Sequence, residues 1–132
     1  MILIDANVFM YAAGKDHPHK EPSIAFLDRA ARDEIEAAVD AEVLQEILHR
    51  YRAMGRWADG RNVFRLARRS VPLTLPITAD VLDRAADLLD RHDSLSARDA
   101  LHAAVALEAD AEAICSFDHH FDSVPGLRRI QP

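Results

Sequence analysis

Short apolar runs that end at or near an aspartate and lead into a helical pattern recur along this chain, and they restrict its fold more than any other feature. Ile2-Leu3-Ile4 meets Asp5 and then a helix-like run, Ala6 to Ala13, closed by Gly14. Glu36-Ala37-Ala38-Val39 meets Asp40, an N-cap residue type, and then Val43, Leu44, Ile47, Leu48 and Tyr51 at helical spacing up to Gly55. Ala113-Ile114-Cys115 is followed after two residues by Asp118. Pro72 to Pro76 reads as a further strand and Leu127 to Ile130 as a fifth. Between them lie helices from Pro22 to about Arg32, through Val63, Phe64 and Ala67, and after the caps Thr78 and Ser96. Strands this short and uniformly apolar are buried on both faces. Their alternation with helices predicts an α/β fold, a parallel sheet of four to five strands covered on each side.

One unit, residues 1–132, is expected, because 49% apolar residues at this length suffice for a single core. The lone Cys115 sits in an apolar strand and has no internal partner, which fits a reducing cytoplasmic setting. The opening Met1-Ile2-Leu3-Ile4-Asp5 lacks the basic segment of a signal peptide. No apolar run approaches the roughly 18 residues that span a bilayer, so no membrane association is expected. The net charge of −6 argues against a nucleic-acid enzyme until its distribution is read. Arg50 to Arg69 holds seven arginines and one acid, Asp59, a local charge of +6 against −12 elsewhere. Solvated helix faces and a positive rim beside an acidic site both account for that.

An open α/β sheet builds its sites beyond the carboxyl ends of its strands, where elements distant in sequence can bring four acids of this chain together. Asp5 follows the first strand and Asp118 the fourth; Glu46 lies nearly two turns into one helix, and Asp99 in the first turn of another. Each has a plainer role available. Asp5 is placed to cap the next helix, Glu46 to face solvent, Asp118 to make a turn, and Ser96-Ala97-Arg98-Asp99 resembles a capping box. Glu42, one turn before Glu46, is a rival. Carboxylates gathered in one cleft repel one another unless cations neutralise them. All-oxygen ligation suits Mg²⁺ or Mn²⁺, which activate water and stabilise charge at phosphorus.

With these residues in view, the chain resembles the PIN-domain family. Ile2-Leu3-Ile4-Asp5-Ala6-Asn7-Val8-Phe9 looks like the family's opening, Val43-Leu44-Gln45-Glu46-Ile47-Leu48 its second acidic motif, Ala97-Arg98-Asp99-Ala100-Leu101-His102-Ala103-Ala104 its third. Ser116-Phe117-Asp118, then Phe121 to Leu127, resembles the fourth motif and its tail. The resemblance spans almost the whole chain in the family's order. It implies an α/β/α sandwich, Mg²⁺ or Mn²⁺ held by Asp5, Glu46, Asp99 and Asp118, polar helpers at Asn7 and Ser116, and hydrolysis of RNA phosphodiesters. A domain this short looks most like the VapC-type toxins of toxin–antitoxin pairs. That likeness implies a cognate antitoxin partner and a homodimer. One departure is His120, where many relatives carry a second acid just before the phenylalanine matching Phe121.

Other residues carry weaker signals. None of the seven histidines has zinc-ligand spacing such as His-Glu-x-x-His. His102, one turn beyond Asp99, reads as a packed, hydrogen-bonded helix residue or as one facing the site; His119 and His120 read as exposed loop residues. Trp57 is placed either to stack on a base or to meet a partner protein. Val63 with Phe64, or Phe26 with Leu27, would serve an interface or the core. Two other functions compete. A carboxylate-based phosphatase of the haloacid-dehalogenase type is disfavoured, because that class opens Asp-x-Asp where this chain has Asp5-Ala6-Asn7. A non-catalytic RNA- or protein-binding module has no need of all four acids.

Overall fold

The computed structural model describes residues 1–132. Strand β1 (Ile2–Ile4) leads to helices α1 (Ala6–Ala13) and α2 (Lys20–Ala31), then β2 (Ala37–Asp40) to α3 (Ala41–Ala53) and α4 (Trp57–Ser70). The edge strand β3 (Thr74–Leu75) leads to α5 (Ala79–Arg91) and α6 (Ala97–Glu108). Strand β4 (Ala113–Cys115), a 3₁₀ turn (His119–Ser123) and β5 (Arg129–Ile130) complete the order. The sheet runs β3-β2-β1-β4-β5, and every neighbouring pair is parallel. No helix is long and apolar enough to cross a membrane.

Side chains of a strand alternate between faces, so each short strand serves two cores. Ile4, Val39 and Cys115 join the layer of α1 to α4, with Phe9, Leu27, Ile47 and Val63. Leu3, Ala38 and Ile114 join the layer of α5 and α6, with Val81, Ala104 and Phe121. Leu3 pairs with Ala38 on one side and Ile114 on the other, which holds the three in one row. The sandwich expected from sequence is therefore present, with five strands.

Differences from the sequence reading are local. Strand β3 keeps only Thr74 and Leu75 of the Pro72–Pro76 run, because each flanking proline lacks an N–H for the ladder. Strand β2 ends one residue later, on Asp40, which also caps α3 by accepting from the Val43 N–H at 2.8 Å. The 3₁₀ turn after Asp118 has no periodicity to announce it. Phe26, Leu27 and Val63 are buried and Phe64 packs partly buried against them, so these candidate interface residues are core. The α3–α4 link turns at Gly55, whose φ of 68° suits glycine.

Helices α3 and α4 meet at Gly60, where an added Cβ would overlap the Cβ of Tyr51. Alanine favours a helix over glycine by about 1 kcal/mol, whereas overpacking costs about 1–3 kcal/mol. The Tyr51 Cβ is fixed to its backbone and cannot rotate aside, so overlap wins. Gly60→Ala should lower stability by about 1–2 kcal/mol in urea denaturation; an unchanged or raised midpoint would show that α4 shifts freely on α3.

Candidate metal centre at the carboxyl ends of β1 and β4

Asp5 leaves β1 and turns its two oxygens in different directions. Oδ1 accepts the Ala6 N–H at 2.7 Å, capping α1. Oδ2 accepts the Ser116 hydroxyl at 2.6 Å and the Asn7 amide at 2.9 Å. Capping and site roles thus coincide in one buried carboxylate. Ser116, just past β4, also accepts from Asn7 at 3.1 Å and from the Asp118 N–H at 2.9 Å. Its own carbonyl is held at 3.0 Å by Arg129 of β5, whose guanidinium also grips Asp122. Asn7 and Ser116 therefore tie the end of β1 to the end of β4.

The four acids fall into two groups. Asp5 and Glu46 lie with His102 in one group, and Asp99 and Asp118 with His120 in another, the ligand atoms of each group lying within 4.8 Å of one another. The Ser116 hydroxyl, bonded to Asp5 and to the Asp118 backbone, stands between them. Asp99 completes the capping box, accepting from the Ser96 N–H at 3.2 Å, and so has both roles open to it. The His120 ring is 3.0 Å from Asp118 and 3.7 Å from Asp99, so this exposed residue stands over the acid pair rather than apart from it. Glu42, the rival to Glu46, is ion-paired with Arg98 at 3.4 Å and belongs to neither group. Arg98 also reaches Glu46 at 3.3 Å.

Beneath Glu46, His102 is the packed, hydrogen-bonded residue expected from sequence, but its partner, Asp40, was not foreseen. The Nδ1 of His102 is 2.6 Å from Oδ2 of Asp40, and these side chains are only 2% and 0% exposed. The far ring nitrogen, Nε2, is 3.7 Å from Oε2 of Glu46 and has no hydrogen-bond partner. Asp40 looked like a cap alone, and no local pattern shows that it meets a residue 62 positions away. The one sequence signal was a histidine three positions after Asp99 on an otherwise apolar helix face.

Burial and charge oppose each other here. Burial pushes the Asp5 carboxyl above its ordinary range, against the His102 charge and the Ser116 hydrogen bond. Burial acts the same way on Glu46, but His102 and Arg98 outweigh it and hold that carboxyl low. Burial would lower His102, yet the hydrogen bond to Asp40 and the neighbouring carboxylates of Glu46, Asp40 and Asp5 raise it to about 10. The buried Cys115 thiol is pushed up to about 12, first by burial and then by Asp5, which rules it out as a thiolate nucleophile at neutral pH. Closely set carboxylates, one of them buried at the expense of its own ionisation, form a donor set that fits a hard divalent cation.

A cleft of about 520 Å³ opens beside Asn7, lined by Tyr11, Lys15, His17, Arg50 and Arg56. Only Arg50 and Arg56 of the arginine-rich stretch line it. Arg65 and Arg69 line a separate hollow, and Arg68 bonds Thr74. The positive rim is thus two arginines and a lysine, not the whole stretch. Trp57 packs under Arg61, whose guanidinium lies 5.2 Å from the ring centre. A larger hollow of about 630 Å³ between α5 and α6 is acidic and contains none of the predicted site residues.

A folded-state pKa raised above the unfolded value means that the native protein keeps a proton the unfolded chain has lost. The stabilisation from His102 is then complete below about pH 6.5 and is lost as pH rises toward 10. In chelator, urea denaturation should give a lower free energy of unfolding at about pH 9 than at about pH 6.5. Stability that stays level across that interval would show that the ring is not held as a cation.

The family model for the PIN domain matches residues 2–127. Ribonuclease VapC13 of Mycobacterium tuberculosis is 43% identical over 130 residues, covering 98% of this chain and 99% of that protein. Among solved structures, VapBC2 of Rickettsia felis, bound to a DNA fragment from its promoter, superposes with a TM-score of 0.80 at 17% identity, over 99% of this chain and 98% of that one. M. tuberculosis VapC20, described as a sarcin–ricin loop cleaving toxin, superposes with a TM-score of 0.78 at 20% identity, over the full length of both.

Proposed function

The chain belongs to the PIN-domain family, and from that premise we propose that it is a metal-dependent endoribonuclease, the toxin of a toxin–antitoxin pair. The observation that carries this reading is the pair of acid groups at the carboxyl ends of β1 and β4, in a chain similar to a VapC ribonuclease along its whole length. Asp5, Glu46, Asp99 and Asp118 are the residues proposed to hold the cation, Mg²⁺ or Mn²⁺. When bound, such an ion activates water and neutralises charge building at phosphorus.

The chain's own residues supply position and charge. Asn7 and Ser116 fix the Asp5 carboxylate and couple it to the loop that carries Asp118. Arg98 and His102 hold Glu46 ionised, which keeps it competent as a ligand at neutral pH. His120, above Asp99 and Asp118, is placed to meet the RNA backbone. Lys15, Arg50 and Arg56 offer the flanking phosphates a short positive track along the cleft. An RNA lying there passes from the cleft over Asn7 to the acids.

The proposed partners are an RNA substrate, a small cognate antitoxin that restrains the enzyme, and a second copy of this chain in a homodimer. Sedimentation at micromolar concentration reads the last, and a monomer there would remove it. An enzyme acting on cellular RNA works in the cytoplasm, which fractionation checks.

Purified protein should cut a pool of structured RNA with Mg²⁺ or Mn²⁺ and stop in EDTA. Glu46→Gln should lower kcat about a hundredfold or more while the thermal midpoint stays within a few degrees. Binding without any cutting, in protein freed of antitoxin, would replace the nuclease by a binding module. Arg50→Ala should instead raise KM and flatten the salt dependence by about one unit of log slope, with kcat nearly unchanged. An unchanged KM would move the RNA out of the cleft.

A further inference from the structure

The buried His102 ring belongs to neither of the roles the four acids fill, and its far nitrogen is unusual. Nε2 is buried, has no hydrogen-bond partner and faces Oε2 of Glu46 across 3.7 Å. That gap is too long for an N–H···O hydrogen bond, whose usual range is about 2.7–3.2 Å. Two donors on one cation stand slightly closer than this, a small adjustment of the Glu46 carboxylate. Ligands about 2.1 Å from a metal stand about 3.0 Å apart at a right angle and about 3.4 Å apart at the tetrahedral angle. Asp5 completes the group, with all three ligand atoms within 4.8 Å of one another.

The other end of the ring is already fixed. Nδ1 points to Asp40, whose Oδ2 is 2.6 Å away and whose Oδ1 is anchored by the Val43 N–H. A histidine that ligates a metal through one nitrogen characteristically donates from the other to a carboxylate, which fixes tautomer and ring plane. Asp40 and His102 have that geometry in full.

We propose that His102 is a nitrogen ligand to the catalytic cation, bound through Nε2 together with Asp5 and Glu46 and oriented by Asp40. This rests on the metal-dependent reading above and changes its chemistry. The Nε2 proton leaves to solvent as the cation enters. The ring then supplies one neutral nitrogen beside two carboxylate oxygens. Imidazole suits transition metals, whereas Mg²⁺ is taken by oxygen ligands. The site should therefore prefer Mn²⁺ to Mg²⁺ more strongly than an all-carboxylate site would.

Electron spin-echo spectroscopy of Mn²⁺ added to the protein tests this without reference to activity. The probe is Mn²⁺ alone, and the protein is His120→Gln, which removes the one other histidine in either acid group at an exposed position. The expected spectrum shows a directly coordinated imidazole nitrogen, lost in the His120→Gln/His102→Gln double variant, with Mn²⁺ affinity down about tenfold or more. Mn²⁺ bound to His120→Gln with no coordinated nitrogen overturns the inference and leaves the ribonuclease reading intact. If Mn²⁺ does not bind at all, both fail. If the double variant does not fold, the His120→Gln spectrum decides alone.

Discussion

Crossovers between parallel strands are right-handed, so a chain that reverses its direction across a sheet must move its helices to the opposite face. The rest of this structure depends on that constraint. From β1 the chain steps outward to β2 and β3, laying α1 to α4 on one face. It then returns past β1 to β4 and β5, and α5 and α6 cover the other face. The loops leaving β1 and β4 consequently diverge and open a crevice between adjacent strands. Asp5 and Ser116 stand on its two sides and close on each other through one hydrogen bond of 2.6 Å.

The crevice collects negative charge, and the fold handles this by distribution rather than dilution. Asp40, Asp5 and Glu46 share one buried imidazole, while Arg98 meets Glu42 and Glu46 from the exposed side. A buried ion pair of this kind is weak evidence of added stability, because desolvation offsets much of the attraction. Its presence is better explained by what it positions. The pair Asp40–His102 fixes the ring under Glu46, and Arg129 fixes the carbonyl of Ser116. The residues that hold the site thus come from α1, β2, α3, α6, β5 and the chain just past β1 and β4, none of which contains the whole site.

Much of the architecture was legible in the sequence. Uniform apolar runs bounded by Asp5, Asp40 and the Ser116–Asp118 turn announce short buried strands, and Thr78 and Ser96 mark helix starts where the structure has them. The order of the four acidic motifs pointed to the family. Less legible were elements without periodicity, such as the 3₁₀ turn, and edge strands, whose length depends on which N–H groups find a neighbour. The arginine-rich stretch misled by its density, since residues close in sequence on two helices point to different faces.

The sequence by itself determined the alternation of strands and helices and several helix caps, because these follow from local backbone preference and side-chain period, while the order of its acidic motifs carried the family resemblance. It determined nothing about how those acids divide. Only the tertiary structure decided that Asp5 and Glu46 share His102, that Asp99 and Asp118 share His120, and that Asp40 faces inward to the ring as well as to its helix. Most of those pairings join residues far apart in the chain. They are set by sheet order and by the angle at which α3 and α6 cross the strand ends, and neither is encoded in any single segment.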